Sequence, residues 1–155
     1  MTLLLLAFLI GIIAGLRSMM APAVVSWAAR LGWLNLSNTG LAFLGYAWTP
    51  WILSLAAIGE LINDKLPGTP SRKVPVQFIA RIVMGAFSGA ALGAASGRTL
   101  AGLVAGGLGA VVGTLGGAEV RARLVKLIGG KDLPIALLED ATAIVGAIVI
   151  VRCMV

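Results

Sequence analysis

The sequence predicts an all-α, polytopic transmembrane helix bundle of about five spans, one domain over residues 1–155. Three observations point there. Hydrophobic residues make up 59% of the chain and charged residues 12%, whereas soluble domains carry about 45–50% and about 25%. The mean hydropathy is +1.04. Five apolar runs alternate with short polar segments, and each run is near the length of about 17–25 residues that a spanning helix needs. Disorder is excluded by the apolar content, and no run alternates as a barrel strand would.

The first run, residues 2–29, is irregular. Apolar residues reach Leu16, then Arg17, Ser18, Met19, Met20, Ala21 and Pro22 interrupt them. Proline removes a backbone donor and crowds the preceding turn, so one long helix broken near Arg17–Pro22 is expected. A span followed by a re-entrant piece ending near Leu34 is the other reading. A cleaved leader is not expected, because no basic region precedes the run. The remaining runs cover residues 41–62, 76–96, 100–118 and 133–151.

Two loops are basic. Residues 63–75 hold Lys65, Arg72 and Lys73, and residues 119–132 hold Arg121, Arg123, Lys126 and Lys131. Positively charged loops stay in the cytoplasm, so five spans put the N-terminus inside and the C-terminus outside a bacterial inner membrane. Trp33, Tyr46, Trp48 and Trp51 match an interfacial aromatic belt at the outer end. The net charge of +6 then reflects topology, and no nucleic-acid partner is expected.

Glycine spacing predicts close helix packing. Gly85, Gly89, Gly93 and Gly97 recur every fourth residue, as do Gly109, Gly113 and Gly117, with Gly102 and Gly106 a further pair. Residues four apart share a helix face, and small residues let membrane helices approach closely. A glycine zipper between the third and fourth predicted helices is the expected arrangement. Residues 106–113 lack the strand and lysine of a phosphate-binding loop.

Ionisable groups inside spans are expensive and are functional candidates by default. Arg17, Glu60, Asp64, Arg81, Glu139 and Asp140 qualify as substrate- or ion-binding candidates, with Asn63 beside them. Their other reading is a structural ion-pair cluster. Lys65, Arg72 and Lys73 are read as topology determinants or lipid-headgroup contacts. A faint echo relates Arg17 and Glu60 to Arg98 and Glu139, as in an inverted-repeat transporter.

The blocks Gly15-Leu16-Arg17-Ser18 with Pro22, Gly59-Glu60 through Asp64-Lys65-Leu66-Pro67, and Leu137-Leu138-Glu139-Asp140 resemble domain of unknown function 4126, a family of small bacterial membrane proteins. The resemblance covers most of the chain. It implies a polytopic membrane protein with no established activity, and so no catalytic residues.

Zero histidines and one cysteine remove histidine bases, zinc sites built on His/Cys and an internal disulfide. No enzyme, metal or cofactor is expected. Ser18 is read as a hydroxyl that satisfies the helix break. The expected function is a small transporter, channel or lipid-handling protein with an acidic/arginine site. A membrane scaffold or accessory subunit is the alternative. The lipid bilayer and a second copy of the chain are the expected partners.

Overall fold

A computed structural model describes residues 3–155. Among them are six α-helices, one 3-10 turn and no strand: α1 (Leu3–Leu16), α2 (Met20–Arg30), the 3-10 turn (Ala42–Gly45), α3 (Thr49–Asn63), α4 (Pro75–Ala94), α5 (Thr99–Leu127) and α6 (Asp132–Arg152). Three of them, α4, α5 and α6, are long and apolar enough to cross a membrane, and α1 is a shorter apolar helix.

The prolines start helices. Pro75 opens α4, Pro50 lies in the first turn of α3, and Pro22 and Pro134 are third in α2 and α6. Proline is tolerated there because first-turn amides have no intrahelical acceptor. Helix ends use glycine. At Gly97 (φ 70) the chain leaves α4, with Arg98 N–H donating to Gly93 O at 2.8 Å and Gly97 N–H to Ala94 O at 3.1 Å. This paired closure needs a left-handed residue, which glycine supplies without a Cβ clash.

Backbones meet in the centre of the bundle. A Cβ on Gly85 would lie 2.6 Å from Ala110 Cβ, and one on Gly89, Gly102 or Gly106 would overlap the facing helix's backbone. These contacts join α4 to α5 antiparallel. The rest of the glycine series divides differently from the sequence-based expectation. Gly109 and Gly113 face Phe8 and Ile12 of α1, where Gly11 and Gly15 complete a second close interface. Gly117 meets Leu16 of α1, and Gly97 has open space around it. Residues three and four apart share a helix face, so Gly102, Gly106, Gly109 and Gly113 lie on one face of α5, and α1 and α4 meet there, Gly106 lying against both Gly11 and Gly85. The core of α1, α4 and α5 is this trio.

The first apolar run reverses direction. Gly11 lies at Gly106 and Gly15 at Ala110, so α1 runs parallel to α5. Arg17 meets Asp140 and Gly146 meets Ile13, so α6 runs against α1. Glu60 meets Ser18 while Ser54 meets Trp27, so α2 runs against α3. Arg152, at the end of α6, lies 4.7 Å over the Trp33 ring just beyond α2. Hence α1 and α2 form a hairpin whose turn is Arg17, Ser18 and Met19, and not a kinked span. The expected five-span scheme with termini on opposite sides is corrected accordingly: α1 begins and α6 ends at the same end of the bundle. The physical reason is that the break precedes Pro22 and is held by side chains from α3 and α4. Trp33, Tyr46, Trp48 and Trp51 lie at the end remote from this turn, Trp48 and Trp51 exposed.

Candidate functional site

Breaking a helix leaves carbonyls at one end and amides at the other without partners. Two charged side chains complete the α1–α2 break. Arg81 Nη1, from α4, donates to Gly15 O at 3.0 Å and to Leu16 O at 2.7 Å. Thr114 Oγ1 adds a bond to Gly15 O at 3.3 Å. Glu60, from α3, accepts from Ser18 N–H at 2.8 Å, Ser18 O–H at 2.7 Å and Met19 N–H at 2.8 Å. A cation thus sits at the C-terminus of α1 and an anion at the N-terminus of α2, each matching its helix dipole.

Arg17 lies at the centre, 1% exposed. Its Nε donates to Asp140 Oδ1 at 2.6 Å and its Nη1 to Asp64. Nη2 is 2.6 Å from Asp140 Oδ1 and 3.8 Å from Glu139 Oε2, off hydrogen-bond angles, so charge alone pairs it. Lys65 Nζ reaches the second oxygen of Asp140. Arg72 holds Glu139 with two bonds, of 2.5 and 2.9 Å. Arg121 links Glu139 at 3.2 Å to Asp132 at 2.9 and 2.6 Å. Arg81 Nη2 lies 3.6 Å from Glu60 and 3.8 Å from Asp64.

All six candidate residues named from sequence, Arg17, Glu60, Asp64, Arg81, Glu139 and Asp140, therefore converge. Asn63 does not join by its side chain, which is exposed. Lys65 and Arg72, read as topology residues, reach into the cluster, and Arg121 and Asp132 extend it. Their loop positions gave no signal. Only the length of the lysine and arginine side chains beside an embedded carboxylate would have suggested them. Lys73 makes no ion pair among the described residues. Arg98 is exposed at the other end of the bundle, so the echo between Arg17 and Arg98 has no structural counterpart.

The network is balanced. Arg17, Lys65, Arg72, Arg81 and Arg121 face Glu60, Asp64, Asp132, Glu139 and Asp140. It holds all the carboxylates but Glu119, which pairs with Arg123 at 2.7 Å on the surface. The net charge of +6 therefore lies wholly outside it.

A cavity of about 610 Å³ opens beside the network, between the α3–α4 loop and the part of α5 that extends past Gly117. Arg72, Arg81, Arg121 and Lys126 line it with Asp64 and Asp132, and of these only Lys126 lies outside the balanced network, so it is the wall's one uncompensated charge.

These features define a helical protein, three of whose helices are long and apolar enough to cross a membrane, tied together by a buried ion network at one end. The chain belongs to the family described as Domain of unknown function (DUF4126), which matches residues 4–153. Neither the curated proteins nor the solved structures give a match.

Proposed function

We propose that this is a small multi-pass protein of a bacterial inner membrane, a single unit that binds an anionic substrate in the basic cavity, as a carrier or lipid-handling protein and not as an enzyme. The observation that carries it is Lys126, a cation with no ion pair among the described residues on the wall of a cavity adjoining a charge-balanced network. The carboxylates are already bound, so the donors left over are cationic. Arginine retains hydrogens for a second partner, since it has five N–H donors, and charge-assisted bonds to phosphate or carboxylate are the strong ones.

Orientation follows from the basic loops. Both lie at the end with the network, so that end is cytoplasmic and both termini are outside. The cavity then opens to the cytoplasm. The scaffold reading keeps one observation in its favour, the mutual pairing of the network itself. In it the charges hold the hairpin and the glycine faces hold the bundle, in one copy or between two.

Cysteine labelling separates the two. In a Cys153→Ser background, Ala122→Cys puts a thiol on the cavity wall. Labelling by a membrane-impermeant maleimide is expected from the cytoplasmic side only, slowed by phosphate or carboxylate anions. Labelling that no anion slows supports the scaffold. The wild-type Cys153, exposed near the end of α6, is expected to label from outside.

A further inference from the structure

The cavity has an apolar neighbour. Between α5 and α6 lies a groove of about 220 Å³, lined mainly by Leu16, Val120, Leu124, Ile135 and Leu138. On α5, Ala118, Arg121, Ala122 and Val125 face the cavity, while Gly117, Val120, Arg121 and Leu124 face the groove. Both sets step by three and four residues, the spacing of a helix face. The two faces share one residue, Arg121. The helix is therefore a ridge with polar space on one side, apolar space on the other, and a guanidinium on the crest. α6 packs only lightly on α5, which leaves room for the groove between them.

Resting on the anion-site reading above, we propose that the cavity and groove together bind one anionic phospholipid. Its phosphate would sit among Arg121, Lys126 and Arg81, and an acyl chain would lie along the groove. Charge supports this: with the network balanced, Lys126 adds one uncompensated positive charge to the cavity wall, against the single negative charge of a phosphodiester. Arg81 supports it independently. It is 2% exposed, it lines the cavity, and its Nε has no hydrogen-bond partner. Lys126 forms no ion pair among the described residues and keeps three donors. A soluble anion would account for the cavity but not for an adjoining apolar groove at a shared arginine. A neutral lipid would account for the groove but not for the charge.

The test uses the purified full chain in detergent, titrated by native mass spectrometry with dioctanoyl phosphatidylglycerol, dioctanoyl phosphatidylcholine and inorganic phosphate. Phosphatidylglycerol is expected to bind about tenfold tighter than phosphatidylcholine, the preference that one or two extra cation contacts supply, and about tenfold tighter than phosphate, through burial of its acyl chain in the groove. Lys126→Gln should weaken it about fivefold. Val120→Trp, which fills the groove from an exposed position, should bring phosphatidylglycerol down to the level of phosphate. In the wild type, dibutanoyl phosphatidylglycerol should bind more weakly than the dioctanoyl form. Equal binding of phosphate and phosphatidylglycerol, untouched by Val120→Trp, overturns the lipid assignment and leaves the anion site standing. Equal binding of both lipids overturns it too. If neither phosphate nor phosphatidylglycerol binds, the anion-site reading falls with it.

Discussion

The α4–α5 interface and the α1–α2 turn hold helices together by opposite means. Between α4 and α5 the side chains are deleted and backbones touch, with Gly85, Gly89, Gly102 and Gly106 at the contact. At the α1–α2 turn the backbone is open, and long charged side chains from distant helices fill it. In a bilayer there is no water to drive helices together, so association relies on close packing and internal hydrogen bonds. Each of the two regions uses one of these. A packing interface fails when something is added, and a charge network fails when something is taken away.

The largest effect is expected from taking away the central cation. Arg17→Met leaves Asp64 and Asp140 underpaired in the interior and should destabilise the protein by about 3–5 kcal/mol, read from the unfolding midpoint in mixed micelles. A charge swap gives a sharper test. Exchanging Glu60→Arg with Arg81→Glu keeps the ion pair but inverts both helix caps, because glutamate cannot donate to Gly15 O and Leu16 O. The double variant should be no more stable than either single one. The same exchange at the exposed Glu119 and Arg123 should change stability by about 0.5 kcal/mol or less. Rescue by the Glu60–Arg81 swap would show that charge alone, and not capping, holds the turn.

At the packing interface, adding matter is the test. Gly106→Leu forces a side chain into the Gly85 carbonyl and should destabilise by about 1–3 kcal/mol. Next to it, Gly107 meets only Ala86 Cβ at 3.7 Å. Gly107→Ala should therefore be neutral, or stabilising by up to about 1 kcal/mol through helix propensity. Among the substitutions that weaken the turn, the smallest effect is expected at Ser18. Ser18→Ala removes one of three bonds to Glu60 and leaves the backbone pair, a loss of about 1 kcal/mol in the same unfolding assay.

The two regions differ as well in how far the amino-acid sequence discloses them. Glycines every fourth residue declare a close interface, because the period of the helix is local. They do not say which neighbour fills it, and Gly109 and Gly113 turn out to face α1. The embedded charges stand out by chemistry, and all six converge. What the sequence left undecided was the reversal of the chain after Leu16, contained only in the second reading, a span followed by a re-entrant piece. Pro22 draws the eye, yet it opens α2, and the break is made three to five residues earlier by groups on α3 and α4. Lys65, Arg72 and Arg121 were hidden for a related reason. Lys65 and Arg72 sit in a loop, and Arg121 in the last turns of α5 before another, where any basic residue serves topology, and only the folded distance to Glu139 and Asp140 gives them another role.

The turn at Arg17 has a consequence for the order of assembly. It is made before every partner that secures it. Glu60 follows Ser18 by 42 residues, Arg81 follows Gly15 by 66, and Asp140 follows Arg17 by 123. Until α6 is synthesised, Arg17 lacks Asp140, its partner on that helix. The α1–α2 hairpin thus waits for α6 to be secured, and a chain stopped before α6 leaves that turn unfinished.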